Sequence, residues 1–260
     1  MPQPIRERIV FGPSKYAAFH LLLSRWLRHY AKKSKYCYVT LGGTELKDIQ
    51  SVYFIDPELT CNAVSFERIQ QRHALAEVTA ARLAPSGISI TTVRQDIFTF
   101  QRQSETPHFF FVDIEGAFAS ADYYLRFAQM LRDEVLREDD VLFVTSYLGR
   151  NPGWERVFQR YDGEFRALGI EDSDSKRKWY RLAHPSFTLF QALAEADLQQ
   201  QLNFECVGCV EYRDTSSMGL YAYTISPGRT IFTSFVRSTR HFHISKGYFP
   251  PDQSAWSKLG

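Results

Sequence analysis

The chain has little of what marks secreted or membrane-spanning proteins. Its 260 residues include only four cysteines, Cys37, Cys61, Cys206 and Cys209, which are too few for a disulfide framework in a chain of this length. The first residues, MPQPIRERIV, carry charges where a signal peptide needs an unbroken apolar core, and no later stretch approaches the roughly 18 apolar residues of a membrane span. We therefore expect a soluble, cytoplasmic protein with reduced thiols.

The chain also lacks a charge excess, internal repeats and low-complexity tracts. Its formal net charge is +2, with 23% charged residues, so composition does not demand a nucleic-acid partner as a strongly basic domain would. The 44% hydrophobic and 15% aromatic content is enough to bury the core of one domain, with or without an appendage. One principal site is expected.

Apolar runs alternate with helical patterns along the chain. Strands are predicted over Tyr36–Leu41, Val52–Pro57, Ile88–Val93, Phe109–Asp113, Val141–Thr145, Phe204–Tyr212 and Leu220–Ser226. Helices are predicted over Ser14–Tyr30, Thr60–Leu83, Tyr123–Leu136 and Pro185–Leu198. Strands that alternate with helices through short connections run parallel with right-handed crossovers. The sequence therefore predicts an α/β fold with a doubly wound, mostly parallel seven-stranded sheet and a C-terminal antiparallel hairpin.

Three parts are expected in the chain. Residues 1–34 form an amphipathic helix that packs on the core, 35–230 form the α/β domain with an insertion near 149–180, and 231–260 form a C-terminal extension. Both ends are rich in basic residues, which suit either solvent or an acidic or nucleic-acid partner. These residues are Lys15, Arg25, Arg28, Lys32 and Lys33 in the first helix and Arg237, Arg240 and Lys246 in the tail.

Small and acidic residues follow the first four predicted strands. Gly42-Gly43 follows the first strand, Asp56 ends the second, Asp96 follows the third and Asp113 ends the fourth. In open α/β sheets a ligand lies beyond the carboxyl ends of the strands, where the strand order reverses. The glycines leave room for a ligand to approach the backbone. Each aspartate has the alternative role of a helix cap.

This pattern resembles the class I S-adenosylmethionine-dependent methyltransferases over most of the chain. The resemblance implies that Gly42 and Gly43 face the methionine part of the cofactor and that Asp56 binds the ribose hydroxyls. It also implies that Asp96 lies by the adenine amine and Asp113 near the amino-acid end and the transferred methyl group. A narrower resemblance, to the three-Cys-motif partner proteins, rests on Lys15–Trp26 and on Asp113-Ile114-Glu115-Gly116, which lacks that family's proline.

The sequence departs from the superfamily's pattern at the first loop. The family has Asp/Glu-x-Gly-x-Gly-x-Gly, whereas this chain has Thr40-Leu41-Gly42-Gly43-Thr44-Glu45. If the second strand begins at Val52, the connection holds only a turn or two of helix. The turn after the fourth strand also lacks the Asn/Asp-Pro-Pro-aromatic sequence that holds a flipped base, which argues against an adenine- or cytosine-amino methylase.

Two hypotheses from different classes follow. The first is a methyltransferase that aligns an oxygen or nitrogen nucleophile above Asp113, Glu115 and Tyr147, with Asp113 or Glu115 as general base. The second is a methyltransferase-like protein that has lost the cofactor. It would belong to a larger complex and bind protein or nucleic acid through its basic ends. A phosphoribosyltransferase-like loop at 111–116 is a weaker third reading, because that loop normally has adjacent acidic residues.

Metal ligation receives less support from the sequence. Cys206 and Cys209 have the spacing of half a zinc site, but in a regular strand their side chains face opposite ways and no second Cys/His pair accompanies them. His241 and His243 share one strand face, yet two ligands are insufficient for a metal. We predict core cysteines and no metal site.

Overall fold

The computed structural model describes residues 13–31, 35–114, 122–148, 159, 162–167, 169–213, 216–231 and 241–243. Within them the helices are α1 (Pro13–His29), α2 (Lys47–Ile55), α3 (Gln70–Leu83), α4 (Tyr123–Arg132), α5 (Asp162–Ala167) and α6 (Ser173–Glu195). The strands are β1 (Tyr36–Thr40), β2 (Thr60–Phe66), β3 (Ile90–Val93), β4 (His108–Asp113), β5 (Val141–Tyr147), β6 (Leu202–Arg213), β7 (Ser217–Pro227) and β8 (His241–His243).

The strands form one sheet in the order β3-β2-β1-β4-β5-β7-β6-β8. Strands β1 to β5 are parallel, and β7 lies antiparallel between β5 and β6. The predicted α/β fold with a C-terminal antiparallel hairpin is confirmed, and short β8 adds an eighth strand parallel to β6. The order reverses between β1 and β4, so the ligand position of the fold lies at the carboxyl ends of these two strands.

Helices pack on both faces of the sheet. On one face, α1 places Phe19 5.0 Å from Phe111 and Trp26 5.3 Å from Phe109, measured between ring centroids. Helices α2 and α3 complete that layer. On the other face α4 and α6 cover the half of the sheet around β5 and β7. Among the described helices, none is both long and apolar enough to cross a membrane.

The second strand does not lie where the sequence pattern predicted it. Val52–Pro57 belongs to the end of α2 and the turn after it, and the first part of the predicted helix Thr60–Leu83 is β2. The run of β-favouring residues misled because α2 buries Ile49 and Val52, three positions apart, and leaves Phe54 54% exposed. The strand preference of these residues has little effect here, because the burial of Ile49 and Val52 on one helix face determines the structure.

This shift lengthens the connection after β1. It holds the nine-residue helix α2, and not the turn or two expected from a strand at Val52. It also moves the end of the second strand from Asp56 to Phe66, so the acidic residue that follows that strand is Glu67.

The cysteine pair in β6 corrects a second expectation. A bulge between Cys206 and Gly208 inserts one residue into the pairing with β7, so Cys206 and Cys209 join the same core cluster instead of facing opposite ways. Both thiols are buried, at 3% and 1% exposure, as predicted for core cysteines. His241 and His243 lie in β8, where the structure describes the backbone and not the side chains.

Candidate functional site

The glycine turn follows β1 at the switch point of the sheet. Gly43 has a φ of 58°, which glycine adopts without strain. A Cβ on Gly42 would lie 2.9 Å from Cδ2 of Leu46 and from Oγ of Ser65, so Gly42 is required by packing within the protein. Leu46 caps α2 with a φ of 50° and is fully buried.

A cleft of about 520 Å³ opens beside this turn, large enough for a ligand of nucleoside size. It joins the ends of β1, β2 and β4 at the start of α3. Its walls combine carboxylates, arginines and apolar side chains: Leu41, Gly43, Phe66, Glu67, Arg68, Ile69, Arg72 and Asp113. Gly43 and Asp113, which the sequence predicted as site residues, therefore lie on one cleft.

Glu67 provides the acidic group at the end of β2. Its Oε1 accepts a hydrogen bond from the backbone N–H of Ile69 at 2.8 Å, which fixes the carboxylate at the start of α3. Within the described residues its Oε2 has no hydrogen bond or ion pair, and Glu67 lines the cleft. Glu67 was not predicted as a site residue, because the sequence pattern put the second strand at Val52–Pro57 instead of Thr60–Phe66. The cluster of apolar residues at Ala63, Val64 and Phe66 before the helix at Gln70 was the available signal.

Asp113 is held from two sides. Its Oδ2 forms an ion pair with Nζ of Lys15, and its Oδ1 accepts a hydrogen bond from the hydroxyl of Thr145 on β5. That hydroxyl oxygen in turn accepts from the backbone N–H of Ile114 at 3.0 Å. The side chains of Lys15 and Asp113 are 7% and 9% exposed. The interpretation of Lys15 as part of a solvated helix face is therefore wrong.

Asp56 lies at the opposite edge of the sheet from this cleft. It ends α2, and its Oδ1 accepts from the backbone N–H of Glu58 at 3.0 Å. Its carbonyl accepts from Leu59, whose own carbonyl accepts from Tyr36 at the beginning of β1. Because β1 has five residues, about 13 Å of strand separates this edge from the carboxyl edge. The prediction that Asp56 ends the second strand is wrong.

Asp96 does lie at the carboxyl edge, after β3. Its Oδ1 accepts from the backbone N–H of Phe98 at 3.2 Å, and its Oδ2 lies 2.9 Å from Arg126 and 3.5 Å from Arg68. It lines a neighbouring groove of about 1050 Å³, and Phe66 lines both this groove and the cleft. The two spaces therefore adjoin at the end of β2.

A buried acidic group lies beneath the glycine turn. The Asp48 side chain, on the first turn of α2, accepts hydrogen bonds at Oδ2 from Thr40 at 2.5 Å and from Tyr38 at 3.1 Å. Burial raises the pKa of Asp48, although these two donors and Lys15 lower it. In the family pattern an acidic residue occupies the position of Thr40, whereas here Thr40 donates a hydrogen bond to the buried carboxyl group of Asp48 on α2.

Several predicted residues fall outside the described part of the chain: Glu115, Lys32, Lys33, Arg237 and Arg240. Of the other basic residues, Arg25 donates from Nε to the carbonyl of Val207 at 3.0 Å, and Arg28 is exposed. Within the described residues no group of three or more His, Cys, Asp or Glu side chains is arranged to hold a metal ion.

The donor set of the cleft fits a nucleoside joined to an amino acid. Glu67 offers a carboxylate oxygen, unpaired within the described residues, for hydroxyl donors, Phe66 offers an apolar surface, and Asp113 adds a second carboxylate. Counting the family's spacing from Gly42 places Thr44 and Leu46 where further glycines are usual. The positive φ of Leu46 shows that the backbone still adopts a left-handed conformation at the last of these positions.

Comparison with solved structures finds the same fold. A putative class I S-adenosylmethionine-dependent methyltransferase from Listeria monocytogenes matches with a TM-score of 0.52 at 10% identity, covering 97% of this chain and 71% of that one. The N-methyltransferase NodS from Bradyrhizobium japonicum matches with a TM-score of 0.44 at 12% identity, covering 84% of this chain and 98% of that one. The plantazolicin methyltransferase BpumL, in complex with SAH, matches with a TM-score of 0.46 at 7% identity, covering 80% and 82%.

Neither a protein-family model nor a curated protein sequence matches the chain. The Listeria structure, the one of the three with a TM-score above 0.5, shows the fold alone at its low identity. The chain thus has the fold of the class I S-adenosylmethionine-dependent methyltransferases. The resemblance to the three-Cys-motif partner proteins stays a prediction.

Proposed function

We propose that this protein is an S-adenosylmethionine-dependent methyltransferase that acts on an oxygen or nitrogen of its substrate. The observation that carries the proposal is the cleft at the switch point of the sheet. There Gly43, Glu67 and Asp113 come together from the ends of β1, β2 and β4. The fold alone would not support the proposal if these polar side chains were absent or lay elsewhere.

Each residue of the cleft has a distinct role in this proposal. Oε2 of Glu67 accepts hydrogen bonds from the ribose hydroxyls, in the place that the sequence analysis gave to Asp56. Phe66 and Asp96 lie on the side of the adenine ring, and the backbone of Gly43 faces the methionine part. The cofactor, when bound, supplies an electrophilic methyl group on its sulfonium. The protein's task is then to align the nucleophile with that group.

Asp113 serves in this proposal to hold the cofactor and not to accept a proton. Both of its carboxylate oxygens already have donors, Lys15 and Thr145, and a general base needs a free oxygen within reach of the substrate proton. Tyr147 ends β5 at the same edge of the sheet, where the substrate would lie. Glu115 stays a predicted base outside the described residues.

Calorimetric titration with S-adenosylhomocysteine tests the proposal. We expect micromolar binding by the unchanged protein and a loss of about tenfold or more in Glu67→Ala, because a hydrogen bond to a charged group is worth about 1.5–3 kcal/mol. Asp56→Ala is the matched control, since that carboxylate lies at the opposite edge, and its affinity should be unchanged. Absence of binding at millimolar ligand, or equal losses in the two variants, would overturn the proposal.

A second candidate function is that of a methyltransferase-like component of a larger complex. The observation that favours it is the fully buried side chain of Leu46 at the position of the family's last loop glycine. In this alternative the basic surface that includes Arg28 binds a partner protein or nucleic acid. The test is RNA binding at 50 and 200 mM salt, where contacts to phosphates make affinity fall steeply. Salt-insensitive or undetectable binding would contradict a nucleic-acid partner.

A further inference from the structure

We infer that the substrate of this cleft is a single-stranded nucleic acid, whose phosphates are bound by three arginines at the mouth of the cleft. The inference rests on the proposed function and adds the chemical class of the acceptor. The three residues, here called the arginine rim, are Arg68, Arg72 and Arg126. None of them lies in the basic ends of the chain, where the sequence suggested a nucleic-acid partner.

The arginine rim borders the cleft at the starts of two helices. Arg68 and Arg72 are four positions apart at the start of α3, and both line the cleft. Arg126 lies in the first turn of α4. The Asp96 carboxylate connects the two helices, because its Oδ2 lies 2.9 Å from Arg126 and 3.5 Å from Arg68. The three guanidinium groups therefore lie along one side of the cofactor position.

The rim has donors left for a ligand. The side chains of Arg68 and Arg126 are 71% and 47% exposed, and each guanidinium has five N–H donors, of which Asp96 needs few. Arg72 is half-buried and forms no ion pair with a described residue. Asp96 offsets one of the three positive charges, and no lysine lines the cleft among the described residues. Arginine binds phosphate through two parallel hydrogen bonds, so this composition favours a phosphate ligand.

Aromatic rings beside the rim distinguish nucleic acid from other polyanions. Cζ of Arg126 lies 5.3 Å from the centre of the Phe98 ring and 5.9 Å from that of Tyr123. Both rings are half-buried, so part of each faces solvent. Bases of single strands stack on aromatic rings and on guanidinium planes. The carboxylates of an acidic polypeptide have no flat group that would use these rings.

The acceptor atom must be reachable without flipping a base out of a duplex. The turn after β4 lacks the Asn/Asp-Pro-Pro-aromatic sequence that holds a flipped base. A single strand instead presents its ring nitrogens and ribose hydroxyls directly. The nucleophile's lone pair forms the bond to the methyl carbon while the methyl–sulfur bond breaks. S-Adenosylhomocysteine then leaves, and the proton of the nucleophile passes to water.

The experiment uses a fluorescein-labelled, random-sequence single-stranded RNA of about 12 nucleotides. Fluorescence anisotropy gives its affinity at 50 and 200 mM salt for the unchanged protein and for Arg68→Gln, Arg72→Gln and Arg126→Gln. Arg82→Gln is the matched control, since it removes an exposed arginine from the other end of α3. Arg28→Gln tests the surface of the alternative function. Thermal unfolding confirms that each variant is folded.

Three phosphate contacts predict that affinity falls about twentyfold between 50 and 200 mM salt, because each contact contributes about −0.7 to the logarithmic slope. Each rim variant should bind several-fold more weakly and reduce the salt effect to about sevenfold. Arg82→Gln and Arg28→Gln should change neither quantity. Tyr123→Leu should weaken the single strand by about fivefold or more and leave a duplex RNA of the same length unchanged.

Undetectable RNA binding, equal losses in the rim variants and Arg82→Gln, or a loss confined to Arg28→Gln would overturn the inference. So would competition by polyglutamate as strong as that by unlabelled RNA, or equal effects of Tyr123→Leu on single strand and duplex. These titrations contain no cofactor, so their failure leaves the proposed function intact. Failure to bind S-adenosylhomocysteine would instead overturn the proposed function. If both ligands bind, labelled methyl groups should pass from S-adenosylmethionine to the RNA pool or to a matching DNA pool, and transfer to neither would exclude nucleic acid as the acceptor.

Discussion

The two faces of the sheet at β1 and β2 are covered very differently. On the face of α1, aromatic side chains meet at 5–6 Å and alternate residues of β2 are buried, including Ala63 and Ser65. On the opposite face Asn62 is exposed and Val64 is half-buried, and only Phe66, at the end of the strand, is buried. Parallel sheets are normally covered on both faces. This chain therefore buries one face of β2 and leaves the other to a groove.

The cause lies in the connection between β3 and β4. All of residues 94–107 are described, and they contain only the short 3₁₀ turn Ile97–Thr99. A crossover helix here would cover β1 and β2, but the chain crosses as an extended segment and leaves the groove of about 1050 Å³. Regular alternation of strand and helix is thus not required for the doubly wound topology. A polar anchor can take the place of a helix.

The largest expected effect is on the packed face. Trp26 is fully buried and lies edge-on to Tyr36 and Phe109, at 5.2 and 5.3 Å between ring centroids. Trp26→Ala should lower the free energy of unfolding by about 3–5 kcal/mol, because it leaves a large cavity in the core. Urea denaturation monitored by circular dichroism measures the change.

Val64→Ala on the open face is the matched control for Trp26→Ala. Val64 is half-buried and lines the groove, so its truncation should lower the free energy of unfolding by about 1 kcal/mol or less. A loss in Val64→Ala as large as that in Trp26→Ala would show that the open face is packed in solution. The contrast between the faces would then be wrong.

A smaller but still large effect is expected at the anchor of the extended segment. Arg102 pairs with both oxygens of Asp140, at 2.8 and 3.1 Å, and donates to the carbonyls of Val135 and Thr106. The Asp140 side chain is fully buried, so Arg102→Met leaves an unpaired charge in the core. We expect a loss of about 3 kcal/mol in urea denaturation.

A second arginine supplies the comparison for Arg102. Arg137 pairs with Glu105 on the same segment, but the Glu105 side chain is 90% exposed, and exposed pairs contribute little. Arg137→Met should leave the urea transition nearly unchanged. If the two variants behave alike, the buried pair is not what holds the segment across the groove.

Much of the fold could be predicted from the sequence because strands buried on both faces leave an unmistakable pattern. β4 and β5 are continuous apolar runs, Phe109 to Val112 and Val141 to Val144, and both were predicted to within a few residues. β2 was missed because its open face carries polar Asn62, so its seven residues do not form a continuous apolar run. β2, a strand that the sequence pattern failed to place, is thus one with an uncovered face.

The candidate site was predicted in part for a related reason. Gly43, Asp96 and Asp113 follow strands that were placed correctly, and the structure brings all three to the carboxyl edge. Glu67 was missed with its strand, and Lys15 was missed because no local pattern distinguishes a lysine that reaches a distant carboxylate from one in solvent. Contacts between residues 98 positions apart in the chain are set by the tertiary fold.

The smallest expected effect concerns Asp48, whose buried carboxyl group lowers the folding stability of the packed face. Burial raises the pKa of Asp48 in the folded state, so between the unfolded and folded pKa values the folded protein binds more protons than the unfolded chain. Stability must then fall as pH rises through that window, starting near 3.8. Asp48→Asn keeps the shape without the charge, and its melting temperature should exceed that of the unchanged protein above the window, by roughly 2–4 °C for each kcal/mol relieved.

Thermal unfolding of both proteins from pH 3 to pH 8 measures this effect. Asp133→Asn, which changes an exposed carboxylate on the end of α4, should follow the unchanged protein across the series. A difference between Asp48→Asn and the unchanged protein that shrinks as pH rises would have the wrong sign, because it would mean that the Asp48 carboxylate stabilises the folded state when it is charged. The hydrogen bonds from Thr40 and Tyr38 would then outweigh the burial of Asp48, and the packed face would owe part of its stability to a buried charge.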